Sequence, residues 1–411
     1  MNVITISREY GAGGGEVARR LADLLKWELL DRELLHQAAA LEHLPDAELE
    51  RLDEKAVSLA DRFRLHPTHQ RYIHGLTEAA RQAARRGHVV LVGRGLRHLL
   101  GDWPGAFHLR LVAPREWRAQ RMALRESWSA AQALAKCLEV ERTRARFLRY
   151  FFGHAAVSPE QYDLVVNSGR VPLEVILEGV AAAVRESADK EWPGADAAKG
   201  QATETGGSGA ARLLTLAPEL GAGDTGFART LAVRLKLRVY DPGLLDQEAQ
   251  GLGLTGAEVE QIDEQPSGIF ERFRPRSIHQ RCFETMGQIT QELAERGNVL
   301  LVGRGGSRFW KDQASALHVR LVAPMDKRIR RVMEHYWLRE EGARSLITQS
   351  DTQRRRFYSA CFGADWADPL EYHLTLNTGR LGPLAVDLLA FFAQRHWDGT
   401  AAGTAAPRAR T

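Results

Sequence analysis

The apolar positions of the chain come in short runs, and the polar positions between them follow helical spacing. VITI at Val3 to Ile6 reads as a strand, and a helix from about Glu16 carries Val17, Leu21, Leu24 and Leu25 on one side. A strand from Glu28 to Leu30 ends at Asp31, and helical segments fill the next stretch. Strands His88 to Val92 and Phe107 to Val112 follow, then a helix opened by Pro114, a longer arginine-rich helix, a strand from Tyr162 to Asn167, and a helix from Pro172. Short continuous apolar strands alternating with helices predict a parallel sheet covered on both faces.

The pattern then repeats. LVGRG at Leu91 to Gly95 returns at Leu301 to Gly305, RLVAP at Arg110 to Pro114 returns at Arg320 to Pro324, and YDLVVNSGR from Tyr162 returns as YHLTLNTGR from Tyr372. Each pair is 210 residues apart. The same offset sets Gly11-Ala12-Gly13 on Gly221-Ala222-Gly223, Asp31 on Asp241, Asp53-Glu54 on Asp263-Glu264, and His69 on His279. A register that never slips marks a tandem duplication of one α/β domain. The expected boundaries are 1–188 for the first copy, 189–210 for a flexible linker rich in Ala, Gly, Thr and Ser, 211–397 for the second copy, and 398–411 for a flexible tail.

Composition adds limits rather than direction. With 411 residues, 44% hydrophobic and 26% charged, the chain supports two domains with cores of their own. The net charge of +4 arises from 56 basic against 52 acidic residues, and the tryptophans do not interleave with basic residues, so a nucleic-acid partner is not expected. Cys137, Cys282 and Cys361 are far apart and read as small buried hydrophobes rather than metal ligands or a redox pair. No apolar run approaches a membrane span and no leader pattern opens the chain, so a cytoplasmic protein without membrane contact is expected.

The chemistry concentrates at the carboxyl ends of the strands, where ligands of such sheets bind. Gly11 to Gly15 lies between the first strand and helix, where main-chain N–H groups and a helix N-terminus form an anion site. Against the phosphate-loop pattern GxxxxGK[ST], however, Arg8 stands for the first glycine and Gly14 for the lysine, and Gly15 and Glu16 stand where the hydroxyl belongs. Read alone, the stretch is equally a ligand-free glycine turn. Arg94 in GRG ends a second strand and presents a planar fork suited to phosphate, or simply an exposed turn arginine. Arg118 and Arg121, at i and i+3, share a helix face. The segment ERTRARFLRYFFG, with Arg142, Arg144, Arg146 and Arg149, reads as a charged helix or as a hinged lid, and Arg354 matches Arg144 in the second copy.

The succession ITISREYGAGGG, LLDRELL, LVGRG, HLRLVAP, the arginine segment ending FFG, and YDLVVNSGR resembles the cytidylate kinase-like family of P-loop nucleoside monophosphate kinases, here in tandem. The resemblance implies two P-loop kinase-like domains, each a three-layer α/β/α unit with a five-stranded parallel sheet and a helical lid. It implies ATP and Mg2+ as cofactors and CMP or dCMP as the phosphorylated substrate. By position, Ser7, Arg8, Gly11, Gly13, Gly14 and Gly15 would hold ATP phosphates, and Asp31 and Arg94 the acceptor nucleotide. Arg118, Arg121 and Arg144 would be catalytic, with the metal ligands unassigned.

The family pattern carries a loop lysine and threonine and an aspartate after GR, which here are Gly14, Glu16 and Gly95. In the second copy, Gly221, Gly223, Asp241, Arg304 and Arg354 correspond, but Ala217, Pro218 and Asp224 replace Ser7, Arg8 and Gly14, and an aspartate in the loop repels an anion. The expectation is therefore a kinase acting through the first copy, with pairing of the two copies left open. The alternative is a catalytically impaired nucleotide-binding module whose second copy is regulatory or structural.

Overall fold

The computed structural model describes residues 1–31, 67–153, 158–189, 211–223, 225–240, 278–303 and 305–404. The expected helices between residues 32 and 66, the linker 190–210, and Asp53, Glu54, Asp224, Asp241, Asp263, Glu264 and Arg304 lie outside the described residues. The chain divides into two compact units, Met1–Lys190 and Glu191–Thr411.

In the first unit, β1 (Val3–Arg8), α1 (Gly14–Leu25), β2 (Glu28–Leu30), α2 (Pro67–Arg86), β3 (Val89–Val92), α3 (Leu96–Leu100), β4 (Ala106–Val112), α4 (Arg115–Glu126), α5 (Ala130–Phe152), β5 (Leu164–Asn167) and α6 (Leu173–Asp189) follow one another. All five strands are parallel, in the order β2-β3-β1-β4-β5. The chain fills one edge of the sheet, then crosses β1 to build the other. That reversal opens a crevice at the carboxyl end of β1.

The strands are apolar throughout because both faces are covered. Val89 and Leu91 of β3 pack with Ala79, Ala80, Ala83 and Ala84 of α2, and the alternating pleat turns Val90 and Val92 to the opposite face, where α1 lies. In α1 the buried residues are Gly14, Val17, Ala18, Leu21 and Ala22. Leu24, expected on the same side, is exposed, because helical spacing puts it at the edge of the buried face formed by Gly14, Val17, Ala18, Leu21 and Ala22. Cys137 fills a small core with Ala119, Met122 and Ala133, as a small hydrophobe would, whereas Cys361 is only half-buried.

Three boundaries differ from the sequence pattern for tertiary reasons. β1 runs past its apolar stretch to Arg8, because Ser7 and Arg8 pair with Arg110 and Leu111 of β4. α1 starts two residues early, at Gly14, since Gly13 turns the chain with φ +88°. β5 starts at Leu164, after a 3-10 turn at Pro159–Gln161.

The second unit repeats the design with β6 (Leu213–Pro218), α7 (Thr225–Leu235), β7 (Arg238–Tyr240), α8 (Ile278–Arg296), β8 (Val299–Val302), α9 (Gly306–Phe309), β9 (Ala316–Val322), α10 (Met325–Tyr336), α11 (Glu340–Phe362), β10 (Leu374–Asn377), α12 (Thr378–Leu381) and α13 (Leu384–Thr404). Its order is β7-β8-β6-β9-β10, again parallel. Even the register is duplicated: Val3 faces Val89 and Ala106, and Leu213 faces Val299 and Ala316. α13 continues through residues 398–404, into the stretch expected as a tail, and residues 405–411 lie outside the described residues. Ala401 and Ala402 are strong helix formers that offset the glycines beside them.

Candidate active site

The glycine loop of the first unit is held in shape from three sides. The Glu9 amide donates to the Leu111 carbonyl at 3.0 Å and the Ala12 amide to the Glu9 carbonyl at 3.2 Å, and the Ser168 hydroxyl donates to the Ala12 carbonyl at 2.8 Å. Gly13 then takes its left-handed turn, and α1 begins with the Gly14 and Gly15 amides lacking intrahelical acceptors, as in any first turn. The side-chain position of Gly15 is open, with nothing within 4 Å. Donors, a helix N-terminus and open space converge there, the requirements of a phosphate site.

Three arginines surround this loop in different states. The stem of Arg8 lies over Gly14, where an added Cβ would stand 2.6 Å from Cγ, and its guanidinium is 3.9 Å from the Asp31 carboxylate. Arg121 reaches down from α4: it donates to the Gly11 carbonyl at 3.4 Å and pairs with Glu16. Arg144 reaches across from α5 and donates to the Arg8 carbonyl at 2.8 Å. The structure thus brings Arg8, Gly11, Gly13, Gly14, Asp31, Arg121 and Arg144 into one neighbourhood, with Ser7 buried in the strand beneath.

Arg118, expected with Arg121 and Arg144 among the catalytic residues, lies buried below the loop. Only 3% exposed, it donates to the Ala113 carbonyl at 2.8 Å and the Tyr10 carbonyl at 3.1 Å, lies 3.4 Å from Glu9, and pairs with Glu141. It fastens β1, β4 and α5 together below the loop. Burial pushes the Glu9 carboxyl up, while Arg118 and a hydrogen bond from the Ala113 amide pull it back. Glu141 recurs as Asp351 three residues before the matching lid arginine, but Glu9 escaped notice in the sequence, although the repeat held the signal: Glu219 occupies the same position.

Arg94 stands somewhat apart. Its guanidinium lies 5.6 Å from the centre of the Phe147 ring on α5, one turn beyond Arg144. The neighbouring Gly95 has φ +73°, and the edge of the Phe152 ring occupies the place of a Cβ. That contact explains glycine where the family pattern has aspartate: the aromatic end of α5 is seated on it, as Phe362 is on Gly305. Gly95→Asp is expected to cost about 2 kcal/mol by forcing both strain and displacement of the ring. Thermal unfolding measures that loss.

The second unit keeps the buried frame and alters the mouth. Arg328 pairs with Asp351 at 2.8 Å and Glu219 at 3.3 Å, and Arg320 joins Glu219 at 2.8 Å. Gly221 keeps its left-handed turn at φ +82° but Gly223 does not have one. Arg354 donates to the Pro218 carbonyl, as Arg144 does to Arg8. Between Arg354 and Arg320 sits Trp366, 2% exposed, with guanidinium carbons 5.7 and 4.8 Å from its ring. It packs with Ala217, Tyr358 and Tyr372. An indole thus fills the carboxyl end of β6.

A family model described as "Cytidylate kinase-like family" matches residues 3–170 and again 213–380. The chain belongs to this family, twice over. With it come the nucleoside monophosphate kinase-type phosphotransferases and their nucleotide-binding P-loop fold. The cytidylate kinase of Ignicoccus hospitalis is 28% identical over 184 residues, 44% of this chain and 97% of that protein. That of Methanothrix thermoacetophila is 28% identical over 185 residues, 44% of this chain and 98% of that protein. A solved structure of an uncharacterized protein from Eubacterium ventriosum, 21% identical, covers 45% of this chain and 99% of its own, with a TM-score of 0.35. Each relative has the length of one unit of the tandem chain.

Among the described residues, no group of three or more His, Cys, Asp or Glu is arranged to hold a metal, and no helix is long and apolar enough to cross a membrane.

Proposed function

We propose that the first copy transfers the γ-phosphoryl group of ATP to CMP or dCMP, and that the second copy frames the protein without turning over nucleotide. The approach of Arg121 to the glycine loop, and of Arg144 to the strand end that leads into it, supports this reading most directly. Phosphoryl transfer asks little covalent chemistry of a protein and depends on positioning and charge neutralisation. Glycine amides at the head of α1, two arginines and an open Gly15 meet that demand for a polyphosphate.

The magnesium ion fits as a companion of the nucleotide rather than a resident of the protein. It would neutralise phosphate charge, and the half-exposed Asp31 is the residue that would hold it, through water. The chain's own contribution lies elsewhere. The loop orients the phosphates, Arg144 approaches from the long helix, and Asp31 with Arg94 lines the approach of the acceptor. Asp224 and Trp366 stand against an equivalent event in the second copy.

The intact chain is expected to form CDP or dCDP from ATP, Mg2+ and the monophosphate, with slower turnover of UMP, AMP and GMP. A coupled assay for ADP across these five acceptors checks it. Equal rates for all five would refute the cytosine preference, and none would refute the kinase reading.

A further inference from the structure

A P-loop without its lysine lacks a positive charge between the β and γ phosphates. In the first copy the place of that side chain is taken: a Cβ on Gly14 would stand 2.6 and 2.7 Å from the stem of Arg8. The charge must come from another element, and three arginines surround the loop.

They are not equivalent. Arg8 directs its guanidinium toward Asp31 at 3.9 Å, and Arg144 gives a donor to the Arg8 carbonyl, at the strand end rather than the loop. Arg121 lies on the loop itself. The three atoms nearest to a Cβ on Gly13 are all from its guanidinium, with Nη1 at 2.8 Å. Its other terminal nitrogen pairs with Glu16, in the first turn of α1, where the helix end favours a negative charge. A carboxylate held by arginine at the head of a glycine-rich helix occupies the kind of place a phosphate would take.

The second copy supplies a comparison. Gly226 stands at the position of Glu16, and the matching Arg331 still donates to the loop, at the Gly221 carbonyl 3.0 Å away, but its remaining donors go to the hydroxyl of Thr378 at 2.9 Å and its carbonyl at 3.2 Å instead of to a carboxylate. The copy that lost the carboxylate has a differently occupied arginine.

We infer that Arg121 supplies from α4 the charge of the missing loop lysine, and that Glu16 is its positioning residue, holding the guanidinium over the loop until nucleotide phosphate displaces the carboxylate. Arginine suits the exchange, because its fork accepts carboxylate and phosphate in the same bidentate geometry. Glu16, with 41% of its side chain exposed, has solvent into which to withdraw. The inference rests on the first copy being the nucleotide site.

The test is a direct titration of the intact chain with ATP and Mg2+, and separately with CMP, alongside steady-state rates, for the unaltered chain, Arg121→Ala, Arg121→Lys and Glu16→Gln. Arg121→Ala is expected to weaken ATP binding about 30-fold and to lower kcat as well, with CMP binding unchanged. Arg121→Lys recovers part of both, which a purely structural role would not give. Glu16→Gln removes the competing anion and tightens ATP binding about threefold. ATP bound equally well by the unaltered chain and Arg121→Ala overturns the role of Arg121, and unchanged or weaker affinity in Glu16→Gln overturns that of Glu16. Failure of the unaltered chain to bind ATP overturns the underlying reading instead.

Discussion

Arg144→Ala is expected to lower phosphoryl transfer about 10³-fold, or about 4 kcal/mol of transition-state stabilisation, while leaving the fold intact. Arg144 projects from an exposed stretch of α5 toward the Arg8 carbonyl, and its removal leaves the buried core untouched. A guanidinium on a long helix, beside the strand end that leads into the loop, is placed to meet charge that develops on the transferred group. The second copy provides the control. Arg354→Ala removes the corresponding side chain, which is stacked against Trp366, and turnover is expected to remain. Steady-state rates of the two variants, each checked for native circular dichroism, separate the copies. Equal losses in both would place chemistry in the second copy as well.

Arg118→Ala should have the opposite profile: loss of the fold before loss of chemistry. Its guanidinium is buried between Glu9 and Glu141 and bonded to two backbone carbonyls. Truncation leaves two carboxylates facing each other with no partner between them, one of them already pushed toward protonation by burial. Breaking a buried pair in this way costs about 3–5 kcal/mol, a large part of the stability of an ordinary domain. The midpoint of thermal unfolding for the first unit should fall by roughly 10 °C. Hydrogen exchange of the β1 and β4 amides, read in the intact chain, reports that unit separately from the second. Native protection in β1 and β4 together with lost turnover would return Arg118 to the catalytic group.

The contrast between Arg118 and Arg121 shows where the sequence is legible and where it is not. The strands are legible because a sheet covered on both faces demands uninterrupted apolar runs, and the duplication because LVGRG and RLVAP recur 210 residues on; the strand register follows, with Leu213, Val299 and Ala316 paired as Val3, Val89 and Ala106 are. The glycine loop is legible as well, since glycines mark the left-handed turn at Gly11 and Gly13.

The orientation of arginines is not. Spacing places Arg118 and Arg121 on one helix face, yet one turns inward to Glu9 and Glu141 while the other lies on Gly13. The difference is set by carboxylates distant in the chain. Gly95 likewise reads as a lost aspartate until Phe152 is seen resting on it. Nothing in the local pattern around residue 366 marks its tryptophan as the group that fills the mouth of the second copy.

The measurement that bears most directly on the account is an isothermal titration of the intact chain with ATP and Mg2+, counted per chain, followed by CMP addition and detection of CDP on the same sample. One nucleotide per chain with CDP formed is the predicted result, since the first copy has the open loop and the second has Asp224 and Trp366. Two equivalent nucleotides per chain, or one bound without any CDP, would contradict it.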